Sequence, residues 1–139
     1  MLFFILRKKG EFNLQTEFKR GDVYYYDFGE KNSSIQAGLR PVVILQNDTG
    51  NKHSPTTIVA AMTTKKKTNI PTHVSLFRID IKMNEKNMKF SEIFKIHYST
   101  ILFEQIFTVN KKDLKNKVGE IDLNTWEMKE ALKISLGIN

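Results

Sequence analysis

Pro41-Val42-Val43-Ile44-Leu45-Gln46 and Thr57-Ile58-Val59-Ala60-Ala61-Met62-Thr63 are the two stretches that decide the fold. Each is a short, continuous apolar run, and Asn47-Asp48-Thr49-Gly50-Asn51 closes the first with turn chemistry. Runs of this length, so bounded, read as strands buried on both faces. Outward from them, Val23-Tyr24-Tyr25-Tyr26-Asp27-Phe28 follows the turn signal Arg20-Gly21-Asp22 and is rich in strand-forming aromatics. His73-Val74-Ser75-Leu76 starts a further strand, and Ile79-Asp80-Ile81-Lys82-Met83 keeps the period of two. Thr100 to Val109 is a long final strand. The period then changes. Met128, Ala131, Leu132, Ser135 and Leu136 fall on one helical stripe. Asn124 is its expected N-cap, Glu127 has capping-box spacing, and Gly137 suits the residue after the last turn. Trp126 lies off the stripe and is expected to pack near the helix start, or else to make a subunit contact. About five strands and a closing helix predict a mainly β, α+β domain built on a small, strongly curved sheet or barrel.

The chain has 139 residues, 22 Lys and Arg against 15 Asp and Glu, and a formal net charge of +7. That length suits one domain, and a hydrophobic fraction of 40% is enough to bury a core. The absence of cysteine excludes a disulfide scaffold, a thiol nucleophile and Cys-ligated metal. No apolar stretch approaches a bilayer span. Met1-Leu2-Phe3-Phe4-Ile5-Leu6 is apolar, but Arg7-Lys8-Lys9 follow it, the reverse of a secretory signal. A soluble, cytoplasmic protein with no membrane partner is expected. The cationic surplus favours polyanionic partners, nucleic acid first, although a lysine-rich solvated surface has the same composition.

The chain has no Gly-rich phosphate loop, no metalloprotease helix, no nucleophile elbow, and carboxylates too scattered to hold a catalytic ion. No metal and no cofactor are therefore expected. The spacing of His53, His73 and His97 does not support an acid–base pair, and a structural hydrogen bond explains His73 equally well. Arg40 precedes one buried strand and Thr63 ends the next. If the strands pair, both reach one rim of the sheet, where a guanidinium grips phosphate and a hydroxyl donates to a phosphorane oxygen. An arginine on a turn and a threonine in a strand are also ordinary. Lys65-Lys66-Lys67 either form a solvated loop or extend an electropositive path for a nucleic-acid backbone.

Several strings together resemble the MazF/PemK family of toxin endoribonucleases, the toxins of type II toxin–antitoxin systems. They are Arg20-Gly21-Asp22-Val23-Tyr24, Gly38 to Asp48, Gly50-Asn51, Ser54-Pro55-Thr56, Ile58 to Thr63, Pro71-Thr72-His73-Val74, Ser99 to Ile106 and Ala131 to Gly137. The resemblance runs over roughly residues 19 to 76 and 98 to 138. It implies the plasmid-maintenance-toxin fold, a small SH3-like curved barrel with a C-terminal helix, in a domain spanning 19–139. Residues 1–18 stand apart as an N-terminal extension. It implies a homodimer, a cognate antitoxin with an acidic disordered tail, and metal-independent, sequence-specific cleavage of single-stranded RNA. Attack by the 2′-hydroxyl would leave a 2′,3′-cyclic phosphate and a 5′-hydroxyl. The family's catalytic positions carry over onto Arg40 and Thr63. Its RNA contacts carry over onto the loop with Asn32, Ser33, Ser34 and Gln36, onto Thr64, and onto Glu104 and Gln105, with Lys65 adjoining.

The segment 77–97 is longer than in many members and is expected to form an extra hairpin or a long loop. The loop after Thr63 is slightly short, and Phe107 stands where many members carry a basic residue. Two other readings share the fold expectation: a toxin that poisons a protein target such as DNA gyrase, and a basic module that binds nucleic acid without cleaving it.

Overall fold

The computed structural model describes residues 17–30, 37–65, 69–86 and 88–139. The two deciding stretches become β2 (Leu39–Ile44) and β3 (Thr56–Thr63), flanked by β1 (Asp22–Asp27), β4 (His73–Ser75), β5 (Ile81–Met83), β6 (Thr100–Asn110) and β7 (Lys115–Ile121). Helices α1 (Asp48–His53), α2 (Phe90–His97) and α3 (Trp126–Leu136) complete the described elements, with 3-10 turns at Arg78–Asp80 and Lys111–Asp113. The seven strands form one sheet in the order β4-β6-β3-β2-β1-β7-β5, antiparallel at every pairing.

Burial on both faces explains why the middles of β2 and β3 are apolar without alternation. Val43, Ala60 and Met62 point into one core together with Val23, Ile101 and Phe103, and α2 and α3 cover it with Ile96, Met128 and Ala131. Their alternates Val42, Ile44 and Val59 point the other way, into a second core with Tyr24 and Val109. Both edge strands deliver a side chain to the first core, Val74 from β4 and Ile81 from β5. The sheet therefore curls on itself into a half-barrel closed by the C-terminal helix, as expected. Gly21 knits three strands at the closure. Its N–H donates to the Ile44 carbonyl at 2.8 Å and its carbonyl accepts from the Ile121 N–H at 2.8 Å. Its φ is 95°, and a Cβ there would lie 2.3 Å from the Ile121 oxygen, so only glycine fits.

Several expectations need correction. The N-cap of α3 is Thr125, not Asn124, because the Thr125 hydroxyl accepts the Met128 N–H at 3.3 Å. Glu127 then falls in the first turn, one place short of the capping-box position. Gly137 ends the helix in the left-handed conformation, as expected. Trp126 does not pack on the barrel; it is 77% exposed on the outer side of the first turn. Segment 77–97 is neither a hairpin nor a long loop but a 3-10 turn, then β5, then α2, and the predicted strand from Ile79 begins only at Ile81. The closing turn after β2 is a short helix, α1, capped by the Asn47 side chain, which accepts from the Gly50 N–H. Strand β7 was not anticipated. No helix among the described residues is long and apolar enough to cross a membrane.

Candidate active site

Register places the candidate residues. Tyr26 on β1 lies opposite Arg40 on β2, Thr63 on β3 opposite Thr100 on β6, and Thr100 opposite Ser75 on β4. In the β2–β3 pairing Val42 faces Ala61, and the same register carried two residues further sets Arg40 beside Thr63. Directly opposed residues share a face. Five polar side chains thus form a transverse row, Tyr26, Arg40, Thr63, Thr100 and Ser75, about 19 Å long at ordinary strand spacing. The adjacent row is Tyr24, Val42, Ala61, Leu102 and His73, apolar in its middle and polar at both ends.

Arg40 is half-buried where the β1–β2 connection returns to the sheet. The Phe28 and Gly38 backbones meet there, with the Phe28 N–H donating to the Gly38 carbonyl at 2.9 Å. Gly38 supports that close turn with a φ of 75°. The Arg40 Nε–H donates to the Ala37 carbonyl at 2.8 Å, which fixes the head of the side chain. No carboxylate pairs with Arg40 among the described residues, so its charge is available to an anion. Thr63 is 1% exposed, and its hydroxyl accepts the Lys65 N–H at 3.2 Å. Thr100 and Ser75 continue the row with hydroxyls 3.3 Å apart. Thr64 and Lys65 are exposed just past the strand end.

Arg40 also reaches the rim of a cleft of about 420 Å³ on the opposite side of β2. Thr64, Tyr25, Asn116 and the α2 residues Glu92 and Lys95 line it. The Tyr25 hydroxyl donates to the Glu92 carboxylate, and burial together with that bond pushes its pKa well above the ordinary phenol value. A larger cleft, about 630 Å³, opens at the other end of β1. Its central cation is already neutralised, since Lys117 lies 3.3 Å from Asp22 and 2.8 Å from Glu120, so it is a poorer home for an added anion.

Strand β6 carries an irregularity that matters here. Ala60 pairs with Ile106 but Ala61 pairs with Leu102, so Phe103, Glu104 and Gln105 are extra residues in the ladder. Such bulges re-aim side chains. Phe103 turns into the first core, and Glu104 is left at the surface with its side chain 40% exposed. The Thr72 hydroxyl donates to Glu104 Oε1 at 2.8 Å, and His73 Nε2 lies 2.7 Å from Oε2. Partial burial works against ionisation, but the His73 and Thr72 bonds outweigh it and hold the Glu104 carboxyl below its ordinary value. Gln105 is half-buried beside it. Phe107 packs on Phe28 with ring centres 5.1 Å apart.

The structure therefore sets Arg40 and Thr63 on one face of neighbouring strands, with Thr64 and Lys65 close by and Glu104 and Gln105 on the β6 bulge. Asn32, Ser33, Ser34, Gln36, Lys66 and Lys67 lie outside the described residues, as do residues 1–16. Tyr26, Thr100 and Ser75 escaped the sequence reading because only the register reveals the row. Glu92 and Lys95 escaped it because α2 was not anticipated.

Residues 19–136 match the model of the PemK-like, MazF-like toxins of type II toxin–antitoxin systems. The chain belongs to this family. Among solved structures, the toxin resembles an endoribonuclease in complex with its cognate antitoxin from a mycobacterial species. The two share 25% identity with a TM-score of 0.65, over 87% of this chain and 96% of that one. MazF from Deinococcus radiodurans shares the fold with a TM-score of 0.65 at 15% identity, over 89% of this chain and 100% of that one. A MazE–MazF complex from the same organism gives 0.59 at 15% identity, over 90% and 100%.

Proposed function

We propose that this toxin is a metal-independent endoribonuclease that cleaves single-stranded RNA at a short recognition sequence, with Arg40 and Thr63 as its catalytic pair. The observation that carries the reading is the row in which a guanidinium, with no carboxylate partner among the described residues, and a threonine hydroxyl sit side by side on one sheet face. The mycobacterial relative named as an endoribonuclease supports it.

The chemistry asks little of the protein beyond alignment and charge. In RNA the nucleophile, the 2′-hydroxyl, is already attached next to its phosphorus. The O2′–P bond forms as the P–O5′ bond breaks; the 2′-hydroxyl gives up its proton to solvent water and the departing O5′ takes one from solvent water, leaving a 2′,3′-cyclic phosphate and a 5′-hydroxyl. Arg40 binds the charge that builds on the phosphoryl oxygens, and Thr63 adds a hydrogen bond to one of them. The Thr63 hydroxyl accepts from the Lys65 N–H, which orients it and leaves its own proton to donate to a phosphoryl oxygen. Thr64, Lys65, Glu104, Gln105 and the loop carrying Asn32, Ser33, Ser34 and Gln36 hold the RNA on either side. In the cell the toxin acts as a homodimer in the cytoplasm, restrained by an antitoxin whose acidic, disordered tail covers the cationic face. The net charge of +7 suits both ligands.

The test is incubation of purified protein with end-labelled single-stranded RNA in excess EDTA, followed by analysis of the product ends. The expected result is cleavage at a recurrent short sequence with cyclic-phosphate and 5′-hydroxyl ends, and no cleavage of the matching DNA, which lacks the 2′-hydroxyl. RNA that stays intact, or products carrying 5′-phosphates, would contradict the proposal.

A further inference from the structure

The Thr72–His73–Glu104 cluster lies outside the Arg40–Thr63 pair, yet it is built with more care than a surface carboxylate needs. Both Glu104 oxygens are held, one by a hydroxyl and one by an imidazole. Among the described residues His73 has no other polar anchor, because its Nδ1 is buried without a partner there. The cluster sits on the bulge of β6, and its backbone support, the Phe103 N–H, donates to the Thr72 carbonyl at 2.9 Å. His73 occupies the row next to Thr63 and Thr100, on the same sheet face, on the order of 12 Å from Thr63 across two strands. A nucleic acid laid across Arg40 and Thr63 toward β4 passes this carboxylate.

We propose that Thr72 and His73 are positioning residues that fix Glu104 as a hydrogen-bond acceptor for the amino-bearing edge of a nucleobase in the bound RNA. The proposal rests on the endoribonuclease reading and extends it to base selection. An ionised carboxylate only accepts; the Thr72 hydroxyl, the His73 imidazole and the Glu104 backbone N–H take three of its roughly four lone-pair sites, which leaves one for a ligand. Cytosine, adenine and guanine each offer an exocyclic amine to such an acceptor. Uracil offers one N–H between two carbonyls, and those carbonyls oppose the carboxylate. Holding both oxygens in place before the RNA arrives removes the ordering cost of a mobile glutamate and sharpens the choice.

The test uses a set of short RNAs that differ in one base at each position in turn. Cleavage kinetics are measured for each, and binding is measured with the matching 2′-deoxy analogues. Thr72→Val keeps the shape and removes only the donor. It is expected to raise KM about 3- to 10-fold for the RNA with the preferred amino base, to leave kcat within about twofold, and to shrink the preference at that one position. Thr72→Ser is expected to restore both KM and preference. In a Glu104→Gln background, Thr72→Val is expected to add nothing, because its effect passes through the carboxylate. The inference is overturned if Thr72→Val leaves base preference unchanged, if its cost adds in full to that of Glu104→Gln, or if uracil is the base selected there. Base preference in binding without any cleavage would sink the nuclease reading and leave this one standing.

Discussion

The role proposed for Arg40 works through charge rather than through protons. A guanidinium near neutral pH is a fixed cation and a poor base. What Arg40 offers is a planar donor set whose Nε–H is already committed to the Ala37 carbonyl, so the rest of the fork is oriented before substrate binds. Thr63→Val, which removes the hydroxyl and keeps the volume, is expected to lower kcat about 10- to 100-fold with unchanged RNA affinity; single-turnover rates check this. Glu104 makes a prediction about pH. Its folded-state pKa lies below the ordinary 4.5, so its bonds to Thr72 and His73 stabilise the fold fully above that value. The contribution is lost as pH falls through the folded value, because the unfolded chain takes up the proton first. Thermal melts between about pH 3 and pH 6 are expected to show a shallower acid decline for Glu104→Gln than for wild type.

At the scale of elements, the sheet's register makes the site, and a few residues hold that register. Gly21→Ala is expected to destabilise the fold by about 2 kcal/mol or more, since its Cβ would meet the Ile121 oxygen; a chemical-denaturation midpoint reads the loss. Thr125→Ala removes the α3 cap and is expected to cost about 1 kcal/mol, whereas Asn124→Ala costs a few tenths at most. The same scale shows which elements the sequence exposes and which it conceals. The strands β2 and β3 are legible because burial on both faces leaves their middles, Pro41 to Ile44 and Ile58 to Met62, continuously apolar. Strand β7 reads as a charged loop, Lys115-Asn116-Lys117-Val118-Gly119-Glu120-Ile121, because only Val118, Gly119 and Ile121 are buried and Lys117 sits over Asp22. Helix α2 carries a short stripe, Phe90, Ile93 and Phe94 at i, i+3 and i+4, but it spans only about two turns, and Phe90 and Phe94 stay exposed while Ile96, off that stripe, enters the core. Arg40 and Thr63 were legible as a pair by their places at the ends of neighbouring strands. The row that contains them was not, because cross-strand register is a long-range property that no local pattern encodes.

The described residues form a small half-barrel, in a chain of net charge +7, with Arg40 on one face and without a carboxylate partner among them. Binding to single-stranded nucleic acid is expected to weaken steeply with salt, and the 2′-deoxy version of a cleaved sequence is expected to bind with a similar salt slope but remain uncut. Fluorescence anisotropy across a salt series checks the slope. Most directly, the account stands on the rate at which wild type and Arg40→Ala cut one defined single-stranded RNA under single-turnover conditions in EDTA. The expected result is cleavage by wild type and a loss on the order of 100-fold or more in Arg40→Ala, with the variant folded and still binding RNA. Equal rates for the two proteins, or no cleavage by wild type, would contradict it.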